Sequence, residues 1–194
     1  MTLKELIELT MTHLKVERDT DNYTDYTSVT EGLGIDEYIN EAYLIVIRDD
    51  YPLFKKVSLT LDTDGQIDVS TLLAEGEGTP LYIKKVYNDN SEFYYIDGDS
   101  TGKIKVLSPA DDMNAVVYYM PTLLSSDTDV PAFPAIYHNA LSDYATYRVL
   151  ITGGASKRNA AQYYYSEFER KRKKMGSSYG SKTYTTIQNK YERV

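Results

Sequence analysis

The sequence predicts an α+β protein: mainly an α-helical bundle with a small antiparallel β insertion and an extended C-terminal tail. Three observations predict it. Apolar residues recur at helical spacing in residues 1–56 and again in 121–175, the period falls to two between 57 and 120, and residues 176–194 carry neither period. The expected organisation is therefore a helical core in two parts, 1–56 and 121–175, a β insertion at 57–120, and a tail at 176–194.

Thr2 with Glu5 three residues later is a capping-box pattern, and Leu3, Leu6, Ile7 and Leu14 follow at helical spacing, so a first helix runs to about Val16. Residues 17–29 are polar and aperiodic and read as a connecting loop. A second helix starts near Thr30 or Ile35. Its stripe is Ile35, Tyr38, Ile39, Ala42, Tyr43, Val46 and Ile47, and Pro52 bounds it. Val57, Leu59 and Leu61 then alternate with polar residues before an Asp64-Gly65 turn, and Ile67 and Val69 resume the alternation. Residues 81–87 and 93–96 flank Asn88-Asp89-Asn90 as a hairpin, and 103–107 and 115–119 supply two more strands. Pro131 and Pro134 announce a third helix with Ile136, Ala140, Tyr144, Tyr147 and Ile151 near one face, ended by Gly153-Gly154. Ser156 is the expected N-cap of a fourth, which carries Ala161, Tyr164, Tyr165, Phe168 and Met175 and stops at Gly176. The tail beyond has spaced anchors, Tyr179, Tyr184, Ile187 and Tyr191, suited to docking on a neighbour in extended form.

The 194 residues suffice to bury a real core. There is no cysteine, which excludes disulfides, thiolate zinc sites and cysteine nucleophiles and fits a reducing compartment. No apolar run approaches the roughly 20 residues of a membrane span, and the N-terminus lacks a basic region before an apolar stretch, so the protein reads as soluble. Charge is divided along the chain. Residues 155–194 hold 10 Lys/Arg against 3 Asp/Glu, or +7, which leaves −15 on residues 1–154 out of a net −8. Twenty tyrosines against four phenylalanines suit half-buried faces and subunit contacts, because a buried phenol needs a hydrogen-bond partner.

Catalytic groups in matched sets are not evident. His13 and His138 are the only neutral-pH acid–base candidates, and both read as structural or surface residues on helices, with no H-E-x-x-H spacing. The segment from Gly98 to Lys103 resembles a phosphate-binding loop but is one residue short between its glycines and has Ile104 where Ser or Thr should hold magnesium; it reads as a hairpin turn. Asp62-Thr63-Asp64-Gly65 and Asp97-Gly98-Asp99 lack the twelve-residue calcium loop with its distal Glu and read as turns. No cofactor or metal is expected. The strongest electrostatic signal is Arg170, Lys171, Arg172, Lys173 and Lys174, which on a helix wraps round the axis and forms no stripe. It serves either the helix dipole or a phosphate-bearing or acidic partner.

Two stretches carry a family likeness. Residues 35–56 form a helix with Asn40-Glu41-Ala42 in its middle and Tyr51-Pro52 before the first strand. Residues 115–175 run through a strand, an acidic Ser/Thr/Asp linker, the proline pair, Tyr137-His138, Leu141, Tyr144-Ala145 and Tyr163 to Phe168. In this order the chain resembles the head-to-tail adaptor (connector, head-completion) proteins of tailed bacteriophages. The resemblance implies a non-enzymatic structural virion protein: a homo-oligomeric ring, a dodecamer, located in the virion neck and assembled in the host cytoplasm. It implies contact with the portal protein on one side and a tail or stopper protein on the other, with DNA passing through the lumen without sequence specificity, and no membrane. The expected contacts to portal or neighbouring subunit are Tyr179, Tyr184, Ile187 and Tyr191, and the expected basic interface or lumen lining is Arg170 to Lys174. The alternative reading is a nucleic-acid-binding module using the basic C-terminal helix.

Overall fold

The computed structural model describes residues 1–14, 33–88, 90, 93–94, 96–98, 102–107, 112–152 and 157–180. The expected loop at 17–29, the Gly153-Gly154 break, the Ser156 cap and the tail anchors Tyr184, Ile187 and Tyr191 lie outside these residues. The chain divides into two compact units, Met1–Tyr51 with Leu124–Val194, and Pro52–Leu123.

The first unit holds four helices among the described residues. Helix α1, Leu3–His13, opens on the capping box: the Thr2 N–H donates to Glu5 Oε2 at 2.9 Å and the Glu5 N–H to Thr2 Oγ1 at 3.3 Å. It buries Leu3, Leu6, Ile7, Thr10 and Met11, one face at the helical period. Helix α2, Ile35–Asp49, buries Ile35, Ile39, Ala42, Tyr43, Val46 and Ile47. Tyr38, expected in that stripe, is only partly buried and lies under the Arg148 guanidinium at 4.6 Å. A short 3-10 turn, Ala135–Tyr137, leads into α3, Asn139–Thr152, and α4 spans Arg158–Met175.

Helix α3 packs against α1, α2 and α4, and this overturns its expected face. Residues 140–146 are all buried, Ser142, Asp143 and Thr146 included, whereas Ile136 is 73% and Ile151 47% exposed. A helix enclosed on three sides has no solvent face to produce a 3.6-residue alternation, so its apolar spacing points nowhere in particular. Thr10 and Thr146 turn their hydroxyls onto the carbonyls four residues back, and Ser142 donates to the Leu6 carbonyl at 2.9 Å, so the buried hydroxyls are satisfied.

The second unit corrects the fold class. The chain is α+β, but not a mainly helical bundle with a small insertion: the described residues of 52–123 hold seven strands in two antiparallel sheets. In chain order they are β1 Leu53–Ser58, β2 Gln66–Asp68, β3 Thr79–Asn88, β4 Phe93–Tyr94, β5 Ile96–Gly98, β6 Lys103–Val106 and β7 Met113–Met120. The four-stranded sheet has the order β1-β7-β3-β4 and the three-stranded sheet β2-β6-β5. Together they enclose one apolar core of Ile67, Val69, Ile83, Val86, Ile104, Val106, Met113, Ala115 and Val117. Four of the seven strands have two to four residues, too few alternating positions to register as a period, so the sequence pattern understates the sheet content.

Two glycines matter. Gly78 enters β3 at φ +114°, and a Cβ there would lie 2.2 Å from the Met120 carbonyl oxygen, so close approach of β3 and β7 requires glycine. The α-helix of α4 ends at Met175 with Gly176 as its C-cap, as expected, but the chain does not straighten there. The Gly176 φ and ψ are −55° and −42°, and Gly176–Gly180 continues as a π-helical turn, so the first part of the expected extended tail is wound. A Cβ there would sit 3.3 Å from Asp50 Oδ1, a tight contact with the end of that side chain.

Candidate functional site

The basic run lies at the end of α4, and helical geometry sorts its charges. Phe168 and Met175 are buried, and Lys171 and Arg172 stand three and four positions from each of them, on the same inward side. Arg170, Lys173 and Lys174 are exposed. The run thus divides into two inward and three outward cations.

Lys171 forms an ion pair with Asp143 of α3, whose side chain is only 5% exposed. Burial pushes the Asp143 carboxyl upward, against the opposing pull of Lys171. His13 of α1 completes the cluster: its Nδ1 lies 3.3 Å from Thr146 Oγ1 and 4.0 Å from Asp143 Oδ1, and its ring meets Tyr164 at 5.0 Å. Burial lowers the His13 pKa, which keeps the imidazole neutral near pH 7. Both histidines are structural in their contacts, for His138 is buried with Nε2–H donating to the Phe133 carbonyl at 2.7 Å.

Arg172 reaches the end of α2. Its Nε lies 3.0 Å from Asp50 Oδ2, its Nη2 3.7 Å from Asp49 Oδ2, and its Nη1 3.4 Å from Glu169 Oε1. The Nε and Oδ2 atoms are buried without hydrogen-bond alignment, so this contact is Coulombic. Desolvation raises the Asp50 pKa to about 6, with Arg172 opposing and Asp49 and Glu169 adding to the rise. About two turns on, Tyr179 packs edge-on against Tyr51 at 5.6 Å and Tyr137 at 6.3 Å. A charge clasp and an aromatic clasp therefore fix the root of the C-terminal segment on its own helical unit.

The outward cations are engaged more loosely. Arg170 pairs with Glu167 at 2.6 Å and Lys173 with Glu169 at 3.6 Å, both within α4. Of the expected partner-binding tyrosines and cations, the structure brings Arg172 and Tyr179 together at the end of α2, sends Lys171 to α3, and leaves Arg170, Lys173 and Lys174 on the surface.

Sequence reasoning missed the acidic side of this arrangement, Asp49, Asp50 and Asp143. A signal existed for the first two. Carboxylates in the last turn of a helix oppose its dipole, so the Asp49-Asp50 pair at the C-terminus of α2 calls for a cation from elsewhere. A third polar node joins α2 to α3, where the Tyr144 hydroxyl donates to Glu41 at 2.8 Å and Arg148 pairs with the same carboxylate.

Among the described residues, no group of three or more His, Asp or Glu side chains converges to hold a metal ion, and no helix is long and apolar enough to cross a membrane. The arrangement fastens helices and presents surface charge. A search of the curated proteins finds no match for the chain. The family comparison does find one: the SU10 adaptor protein family matches residues 1–189, spanning the described parts of both compact units, and the likeness read from residues 35–56 and 115–175 is borne out. The chain belongs to the SU10 adaptor protein family, a family of phage head-to-tail adaptors.

Proposed function

We propose that the chain is a ring-forming subunit of the virion neck, which docks on the portal and joins it to the tail or stopper protein, with DNA passing through the lumen. The match to an adaptor family across residues 1–189 carries this reading. Charge distribution supports it. A closed ring needs two different complementary surfaces on each subunit, and an acidic stretch of −15 with a basic C-terminal segment of +7 supplies opposite signs.

In this reading the clasps at Asp50 and Tyr51 deliver the residues after Gly180 from a fixed point. Tyr184, Ile187 and Tyr191 dock on the portal or a neighbouring subunit, and Tyr179 anchors the near end. Arg170, Lys173 and Lys174 face acidic protein or the lumen, while Lys171 and Arg172 secure the helix to its own unit. That division also weighs against the basic helix as a duplex grip, because two of its five cations already serve internal carboxylates.

Truncation after Gly180 tests the assignment. It leaves both clasps in place, so thermal unfolding should match the full chain while co-sedimentation with portal is lost. Retained portal attachment would sink the docking role of Tyr184, Ile187 and Tyr191. Sub-micromolar duplex binding at physiological salt, steeply weakened by added salt, would favour the nucleic-acid module instead.

A further inference from the structure

Residues 130–136 of the helical unit, Val-Pro-Ala-Phe-Pro-Ala-Ile, contain no polar side chain, yet much of this strip faces water. Pro131 and Phe133 are buried beneath it. Val130 is 55% and Ile136 73% exposed, and Ala132 and Ala135 are exposed between them. A lone surface valine or isoleucine needs no explanation, but an apolar run held out of the core marks a contact surface.

The strip is held in one shape from behind. The buried His138 donates from Nε2 to the Phe133 carbonyl at 2.7 Å, and the Ala132 N–H donates to the Tyr43 hydroxyl at 3.2 Å. Just before the strip, the Leu3 N–H donates to the Asp129 carbonyl at 2.8 Å. Two prolines restrict φ within the run itself. A surface fixed in this way loses little entropy when it is covered.

The neighbourhood selects the occupant. Because the Tyr179 ring meets Tyr137 at 6.3 Å, the residues beyond Gly180 set out from beside Ile136. Tyr184 follows Tyr179 by five residues, a reach of up to about 17 Å, so it comes onto the strip without strain. Charge agrees with this placement. Residues 181–194 hold Lys182, Lys190 and Arg193 against Glu192, or +2, and the strip adjoins Asp129 and the exposed Asp127. A tether this short presents the segment at an effective concentration on the order of millimolar, which favours the same chain over a second copy.

We propose that residues 130–136 hold the C-terminal segment of their own chain, through Tyr184 and Ile187, until a partner displaces it. It rests on the tail-docking reading in taking Tyr184 and Ile187 as contact residues, and adds the place they occupy before assembly. A stored tail is withheld from other free copies, so the portal competes with residues 130–136 for it.

Tryptic cleavage of the full chain after Lys182 and Lys190, followed by mass spectrometry, tests this. Both cuts should be slow in the free protein. The variant I136S changes an exposed residue and should keep the circular dichroism spectrum, yet speed both cuts by roughly tenfold. On the other side of the contact, Y184S should do the same, and I136S/Y184S should cut no faster than either single variant. Contact of this strength is lost before the helices melt, so thermal unfolding is unchanged throughout. Protection that disappears on dilution would seat the tail on a second copy and overturn the same-chain assignment. Equal cleavage rates in the parent and I136S would overturn the proposal, and if I136S then also failed to co-sediment with portal, the strip would be a portal contact instead. Truncation after Gly180 reads portal attachment separately, so the docking role of the tail stands or falls on its own result.

Discussion

The helical unit and the β unit are held together by different chemistry. Between the helices, buried and half-buried polar side chains cross from one element to another: Ser142 to the α1 backbone, Lys171 to Asp143, and Arg172 to Asp50. The β unit instead has an apolar core throughout, and its buried polar side chains, Asn88 and Asn114, occupy the strand ends. Sheets set their register through alternation and hydrogen bonding along the strands, so their core needs no polar key. Helices slide and rotate more freely against one another, and directional polar contacts select one arrangement at the cost of desolvation.

If the comparison holds, truncating each core acts locally. Ile39→Ala and Ile104→Ala remove side chains that are 0% and 1% exposed, and each should cost about 3 kcal/mol. Amide hydrogen exchange distinguishes them: Ile104→Ala should speed exchange in β1 to β7 and spare α1 to α4, and Ile39→Ala the reverse. Equal loss of protection in both units from either variant would mean that they unfold as one cooperative block.

The same contrast explains what was legible in the sequence. The capping box at Thr2, the stripe of α2 and the Asp64-Gly65 turn are local signals, and each stands where the pattern put it, Tyr38 of the stripe excepted. Short strands and the doubly sided β core depend on pairing over distance, and a strand such as Phe93–Tyr94 has no period to read. Helix α3 failed in another way, since its buried Ser142, Asp143 and Thr146 look like solvent-facing residues until three neighbouring helices enclose them. At the site, the wrapping of Arg170 to Lys174 round the helix follows from the rise and turn alone. The partner of Lys171 is 28 residues distant and carries no local mark. Gly176 ends the α-helix as a glycine after a helix signals, but the π-helical turn that follows has no local mark in the sequence.

The Lys171–Asp143 pair allows a sharper test of the polar key. Asp143→Ala leaves a half-enclosed ammonium without its carboxylate and should cost about 3 kcal/mol by urea titration. Replacing both partners, Asp143→Leu with Lys171→Met, removes the desolvation on both sides and should recover most of that loss. Should the double variant be as unstable as the single one, the pair would be contributing stability outright instead of selecting an arrangement.

The smallest effect separates the clasp at Asp50 from an ordinary ion pair, because its sign is reversed. A carboxylate stabilised by its partner has a depressed pKa and supports the fold above it. Asp50 is raised instead, from 3.8 to about 6, because burial outweighs Arg172 while Asp49 and Glu169 add like charge. The folded state therefore binds more proton than the unfolded chain between these values, and the contribution of Asp50 to stability falls as pH rises from about 4 to about 6. Asp50→Asn removes this penalty and leaves Arg172 with Asp49 and Glu169 as counter-charges. The variant should be more stable than the parent by about 1 kcal/mol at pH 7, and the difference should vanish near pH 4. Urea titrations at both pH values decide it. A variant less stable than the parent at pH 7 would show that Arg172 needs Asp50 ionised, and would place this clasp with the ordinary salt bridges of the helical unit.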